Sequence, residues 1–169
     1  MATKVIKMGD IAHQPPKVDS PLGMYPGRLD DRGRLKLPAN FLQHFADLEV
    51  TRLFVTSLDG RIGRIYTIPA WEETEKWLVN HHEDAETADN IAFTAADLGA
   101  LSDIDSQGRI LFSTDLRRAL GIENQPVRLW PNGNKIEVLS DKLYQERKSG
   151  ASVDAAKDLR KLERAGMPR

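Results

Sequence analysis

Hydrophobic positions along this chain switch between two periods. Short stretches alternate apolar and polar residues, as half-buried strands do, and longer ones space apolar residues three and four apart, as helices do. Tyr25 to Leu29 reads as a short strand. Leu35 and Leu37 alternate with Lys36 in a second. Pro38 suits a first helical position, where its missing N–H is no loss, and Phe41, Leu42, Phe45 and Leu48 then give a helix its buried stripe. Leu53 to Leu58 and Ile62 to Ile68 predict two strands joined by Asp59-Gly60, a strong hairpin signal. Pro69 ends the second strand and opens a helix from about Trp71 to His82, with Trp71, Thr74, Trp77, Leu78 and His81 on one face.

The same succession then recurs. Leu101 to Asp105 is a strand, Gln107-Gly108 lies in a turn, and Ile110 and Phe112 alternate with Leu111. Ser113 or Thr114 caps a helix whose buried face carries Leu116, Ala119 and Leu120, and Gly121 ends it. Val127 to Trp130 and Lys135 to Leu139 pair through Asn132-Gly133, and Ser140-Asp141 caps a helix running to about Lys148. Gly60 and Gly133 stand 133 − 60 = 73 residues apart. Residues 83–100 connect the halves as a helix or with a strand among them; their sequence does not choose. Residues 153–165 form an amphipathic helix with Val153, Ala156, Leu159 and Leu162 along one stripe, for which docking on the body is favoured over self-association. Residues 1–22, with Pro15-Pro16 and Pro21, read as an N-terminal arm; Lys4 and Lys7 on it are read as solvated.

Both halves open on one nine-residue pattern. Leu29-Asp30-Asp31-Arg32-Gly33-Arg34-Leu35-Lys36-Leu37 matches Ile104-Asp105-Ser106-Gln107-Gly108-Arg109-Ile110-Leu111-Phe112 at an offset of 105 − 30 = 75, and such repeats decide architecture. Asp31-Arg32-Gly33 suits a three-residue hairpin loop with Gly33 left-handed. Asp30 and Arg34 then face each other across it. The carboxylate can accept turn N–H groups and fix the direction of the guanidinium, a pairing that contributes roughly 0.2–1 kcal/mol. A guanidinium so held can clamp a phosphate or the O6/N7 edge of a guanine. Arg28, Arg32 and Lys36 crowd the first copy; Arg109, with Arg117 and Arg118 on the next helix, belongs to the second. The plainer alternative is a decorated turn, shaped by Asp and Gly, in which Arg makes a surface salt bridge.

Composition narrows the partners. With 24 basic and 25 acidic residues the net charge is −1, so any nucleic-acid-binding face has to be local. Absence of cysteine removes disulfides, thiolate metal sites and thiol nucleophiles. No apolar run approaches the roughly 18 residues of a membrane span. The N-terminal lysines are followed by no apolar core, so no secretory signal is expected and the cytosol is the default compartment. His81-His82-Glu83-Asp84 lacks the i, i+4 spacing of a helical zinc pair and reads as a solvated helix end. Ser102, Ser106 and Ser113 have no nucleophile elbow around them, and no phosphate-binding glycine loop is present. Trp71, Trp77 and Trp130 read as core or subunit contacts. Neither an enzyme nor a cofactor or metal site is expected.

Residues 22–147 resemble the MraZ family, which is built from two tandem AbrB-like (SpoVT/AbrB) units. The resemblance rests on Gly23-Met24-Tyr25, Asp30-Asp31-Arg32-Gly33-Arg34-Leu35 and Pro38-Ala39-Asn40-Phe41 in the first half. In the second it rests on Asp105-Ser106-Gln107-Gly108-Arg109-Ile110-Leu111, Leu116-Arg117 and Lys135-Ile136-Glu137. It implies an α+β, β-rich fold of tandem AbrB-like units, swapped-hairpin or barrel-like, with short helices and a C-terminal helix. The units fall at 23–83 and 101–148, between an N-terminal extension (1–22), a connector (84–100) and a C-terminal helical extension (149–169). The resemblance further implies a cytoplasmic, nucleoid-associated transcriptional regulator. Family members look like ring-shaped homo-oligomers that bind short direct repeats in double-stranded promoter DNA, typically ahead of the division and cell-wall genes. The family's Asp-x-x-x-Arg contact with DNA falls on Asp30 and Arg34, and on Asp105 and Arg109. Arg32, Gly33, Lys36, Gln107, Gly108 and Arg117 complete the expected DNA-binding set. The chain departs from the family pattern at Leu42, where an Arg is usual, and around Ser113-Thr114, where prolines are usual; its two terminal extensions also look atypical. A reading of another class remains beside this one: an antitoxin-like or scaffold oligomer without DNA binding.

Overall fold

Backbone pairing begins where the alternating stretches were expected. The computed structural model describes residues 20–169, so most of the expected N-terminal arm lies outside the described residues. Among the described residues eight strands form: β1 (Tyr25–Arg28), β2 (Arg34–Lys36), β3 (Arg52–Ser57), β4 (Gly63–Thr67), β5 (Ala100–Asp103), β6 (Arg109–Leu111), β7 (Pro126–Asn132) and β8 (Lys135–Ser140). The helices are α1 (Ala39–Asp47), α2 (Ile68–Asn80), α3 (Ala85–Leu98), α4 (Thr114–Leu120), α5 (Asp141–Ser152) and α6 (Ala155–Arg164). The fold is α+β and β-rich. None of the described helices is long and apolar enough to cross a membrane.

The two halves are interlaced. A six-stranded antiparallel sheet runs β1-β7-β8-β4-β3-β5, and a second, two-stranded sheet pairs β2 with β6. The hairpins β3–β4 and β7–β8 meet at the centre, with Gly63 opposite Val138 and Ile65 opposite Ile136. The first strand of each half crosses over: β1 pairs with β7 and β5 with β3. The large sheet stays open, with β1 and β5 on its edges, so the swapped pairing is present without closure into a barrel. One core follows from this exchange. Leu35, Leu37, Phe41, Leu53 and Ile65 of the first half pack with Ile110, Phe112, Leu116, Leu129 and Val138 of the second, all essentially without solvent exposure.

Local chemistry sets most boundaries. Thr67 caps α2 by accepting the Ala70 N–H at 3.3 Å, Ser113 caps α4 through Leu116 N at 3.3 Å, and Ser140 caps α5 through Leu143 N at 3.2 Å. Gly121 ends α4 in the left-handed region at φ 64°. The connector is resolved as α3, capped by Asp84 and held to β3 by the Thr56 hydroxyl, which donates to the Ala95 carbonyl at 2.7 Å.

Several side chains depart from their expected faces. Trp71 packs on Phe54 and Tyr66, with centroids at 4.8 and 5.2 Å, but Trp77 is 61% exposed and stacks on His81. It lies on the flank of α2, beyond the width of sheet that Trp71 and Leu78 cover. Leu48, just after α1, and Ala119, on α4 beside buried Leu120, also face solvent. The α6 stripe does not dock: Leu159 and Leu162 stay about half exposed.

Between α3 and β5 the chain turns at Gly99. A Cβ there would lie 2.4 Å from the Ala95 carbonyl oxygen and 2.4 Å from the Phe54 ring. Gly99→Ala is therefore expected to cost about 1–3 kcal/mol through overpacking. Gly150→Ala, inside α5 with nothing within 4 Å, is expected to stabilise by about 0.5–1 kcal/mol. Urea unfolding of the two variants checks the opposite signs.

Candidate nucleic-acid interface

Each copy of the repeated motif folds into the same hydrogen-bonded turn. Asp30 N–H donates to Arg34 O at 2.9 Å and Gly33 N–H to Asp30 O at 3.0 Å; Asp105 N–H donates to Arg109 O at 3.0 Å and Gly108 N–H to Asp105 O at 2.9 Å. The glycines supply the left-handed residue that the loop needs, at φ 79° and 75°. The carboxylates act alike. Asp30 Oδ1 accepts the Arg32 and Arg34 N–H groups at 3.0 and 2.9 Å, and its Oδ2 accepts Arg34 Nε at 2.8 Å. Asp105 Oδ1 accepts the Gln107 and Arg109 N–H groups, both at 2.9 Å, and its Oδ2 accepts Arg109 Nε at 2.8 Å.

This bonding fixes the guanidinium rather than consuming it. Only Nε of each arginine is engaged by its aspartate, and the Nη1 and Nη2 ends make no hydrogen bond among the described residues. A planar fork of donors is left for another partner, such as a phosphate or a guanine edge. The same contacts hold both carboxyls below the usual carboxylate range. For Asp30 the largest cause is the Arg34 backbone N–H, with the Arg32 N–H and the Arg34 guanidinium adding to it against partial burial. For Asp105 it is the Arg109 backbone N–H, then the Arg109 guanidinium and the Gln107 N–H.

The turns come together through β2 and β6. These strands pair antiparallel, with Arg34 opposite Leu111, Leu35 opposite Ile110 and Lys36 opposite Arg109. Side chains opposite each other share a face of the ribbon. Leu35 and Ile110 enter the core, so Arg34, Lys36, Arg109 and Leu111 face outward. Diagonal neighbours on such a face lie about 7–8 Å apart, which is the relation of Arg34 to Arg109. Each strand end is tied to the opposite turn: Leu37 N–H donates to Gly108 O at 3.0 Å and Phe112 N–H to Gly33 O at 2.9 Å. The Lys36 ammonium donates to the Gln107 carbonyl, carrying a first-copy cation onto the second turn. The structure therefore brings Asp30, Arg34, Lys36, Asp105, Gln107 and Arg109 onto one surface with exposed Arg32 beside them, while Gly33 and Gly108 are buried beneath it.

Curated relatives match most of this chain. The transcriptional regulator MraZ of Acidobacterium capsulatum is 30% identical over 105 residues, which is 62% of this chain and 72% of the relative. The chain belongs to the MraZ family. The transcriptional regulator MraZ of Koribacter versatilis is 32% identical over 104 residues, covering 61% of this chain and 71% of the relative. That of Methylococcus capsulatus is 29% identical over 135 residues, covering 78% and 88%. No family model matches the chain.

Within this MraZ-family chain the two turns rest on different supports. Arg117, expected in the DNA-binding set, makes four hydrogen bonds within the chain. Nη1 donates to Phe112 O at 2.8 Å and Arg32 O at 3.4 Å, Nη2 to Thr114 Oγ1 at 3.4 Å, and Nε to Glu123 Oε1 at 3.4 Å. A Cβ on Gly33 would lie 1.9 Å from Arg117 Nη1. Arg117 is thus a polar pad beneath the first turn. At the 75-residue offset its counterpart is Leu42, whose Cδ1 lies 2.5 Å from a Cβ built on Gly108. The offset aligns Leu42 with Arg117, and that alignment was the available signal for their shared place. Arg28 is held off the ribbon by its bond to Asn124 O at 3.0 Å, and Arg118 is exposed on α4.

Two outcomes follow from this geometry. Carboxyl NMR titration is expected to place Asp30 and Asp105 below the ordinary value of 3.8. Because folding depresses these values, their stabilisation is complete above the unfolded value and is lost as pH falls through the folded one. Their contribution is flat between about pH 5 and 8 and declines below about pH 4. Gly33→Ala is expected to destabilise by at least about 1–2 kcal/mol from left-handed backbone strain alone, with the Arg117 clash added. Chemical denaturation of Gly33→Ala in an Arg117→Ala background should recover the clash and retain the strain.

Proposed function

We propose that this chain is a sequence-specific, DNA-binding transcriptional regulator of the MraZ type. The observation that carries the reading is the β2–β6 ribbon, whose outward face presents Arg34, Lys36 and Arg109 with both guanidinia oriented by aspartates. A two-stranded ribbon fits the major groove of B-DNA, and an arginine fork bonded to guanine O6 and N7 discriminates by about 1–3 kcal/mol per base pair. In this reading Asp30 and Asp105 orient, Arg34 and Arg109 read bases or clamp phosphates, and Arg32, Lys36 and Gln107 contact the backbone beside them. Gly33 and Gly108 let the turns form, and Arg117 holds the first turn in place.

One ribbon offers few contacts, so a single subunit binds weakly. The units at 23–83 and 101–148, joined through 84–100, supply one ribbon per chain. A homo-oligomeric ring in the cytoplasm, associated with the nucleoid, repeats it at intervals matched to spaced direct repeats. Multivalency of that kind raises affinity by roughly 10²–10⁴ without new contacts. The names of the relatives, all transcriptional regulators, support the regulatory part of the reading.

A second reading, an oligomeric antitoxin-like or scaffold protein without DNA binding, is favoured by exposed Trp77, Val79 and Phe93 on α2 and α3. Binding to the DNA upstream of its own gene separates the two. Wild type and an Arg34→Ala/Arg109→Ala variant, checked for native circular dichroism, are compared across a salt series on single- and multiple-repeat duplexes. Expected are sequence preference, a steep loss with salt, stronger binding to multiple repeats and collapse in the variant. Equal binding to that DNA and to random DNA would move the search to protein partners.

A further inference from the structure

The C-terminal helix α6 carries four cations that the ribbon does not use. Lys157, Arg160, Lys161 and Arg164 follow the spacing i, i+3, i+4, i+7, which gathers them on one face. None makes a hydrogen bond or ion pair among the described residues, although Asp154, Asp158 and Glu163 are on or beside the same helix. Like charges at these spacings oppose the helix, a cost offset in part by Asp154, Asp158 and Glu163 three residues from Lys157, Lys161 and Arg160. The face is fully available, because no residue of α6 is buried. The charge of the chain is divided accordingly. Residues 141–169 hold eight lysines and arginines against five acids, a net of +3, while residues 1–140 hold 16 against 20, a net of −4.

We propose that this face of α6 is a second DNA contact, one that grips the phosphate backbone without reading sequence. The inference rests on the DNA-binding reading of the ribbon and assigns it a new element. A phosphate strand matches the face in sign, and the four cations line about 10.5 Å of helix from residue 157 to 164. The cations stand on flexible stems and lack the aspartate partners that orient Arg34 and Arg109, so they suit a line of charge better than a base edge. An anionic membrane suits the helix less well. Its apolar stripe is narrow, with Leu159 and Leu162 as the only large side chains, and Asp158 and Glu163 border that stripe where lipid headgroups would lie.

The test uses the full chain with Lys157→Gln, Arg160→Gln, Lys161→Gln and Arg164→Gln combined, since glutamine keeps helix propensity. Fluorescence anisotropy is recorded on the upstream duplex and on a scrambled duplex of equal length across a salt series. Affinity for both is expected to fall by the same factor, about tenfold or more at low salt. The slope of log affinity against log salt is expected to shrink by up to about 3.6, the value for four phosphate contacts. The preference for the upstream duplex should be unchanged. An unchanged slope in a variant whose wild type binds DNA overturns the inference and leaves the ribbon reading intact. Loss confined to the upstream duplex overturns it too, since that would be base readout. Wild type that binds neither duplex removes the ribbon reading and this inference together. Sedimentation with phosphatidylserine vesicles that depends on the four cations, with DNA affinity unaltered by the variant, would assign the face to membranes instead.

Discussion

Two strands of three residues each depend on one another for their hydrogen bonds. β2 and β6 form a sheet of their own, and neither pairs along its length with any strand of its own half. Isolated two-stranded pairs are marginal in water, and this one persists because Leu35 and Ile110 on its inner face are sealed in the core. The period of two then leaves Arg34, Lys36 and Arg109 no other direction than outward. A single pairing closes the core and displays the cations, so display cannot be lost without loosening the packing beneath it.

The aspartate–arginine pairs at the ends of this ribbon are energetically small, and stability is not their main effect. They are partly exposed, where ion pairs contribute little. What they change is entropy: a guanidinium already held by Nε loses less freedom when its remaining donors meet a phosphate or a base. The glycine beneath each turn lets a neighbouring side chain press up against the loop from below. That side chain is an arginine under one turn and a leucine under the other, so the two copies share a backbone and differ in what stiffens it.

Charge follows the same local logic. A net charge of −1 offers no long-range attraction to nucleic acid. Arg34, Lys36 and Arg109 on the ribbon and Lys157, Arg160, Lys161 and Arg164 on α6 are instead local groupings of cations, and the other basic residues are spread along the chain with the acids.

The sequence by itself determined the elements, the turns and the duplication. Strand and helix periods, Asp59-Gly60, Asn132-Gly133, Ser113, Ser140 and Gly121 act within a few residues of themselves, so they can be read along the chain. The Asp30–Arg34 and Asp105–Arg109 pairs were legible for that reason, and the repeat identified the family. Tertiary structure decided which strand pairs with which. The exchange of β1 and β5 between halves joins residues about 100 positions apart (Tyr25 with Leu129) and about 50 apart (Arg52 with Asp103), and no local pattern encodes such a partner. It also decided how far each apolar stripe is covered, which is why Trp77, Leu48 and Ala119 are exposed despite helical spacing that suggested burial. The same holds for Arg117: a guanidinium on a helix reads as a surface cation until the fold sets a glycine turn and a row of carbonyl oxygens against it.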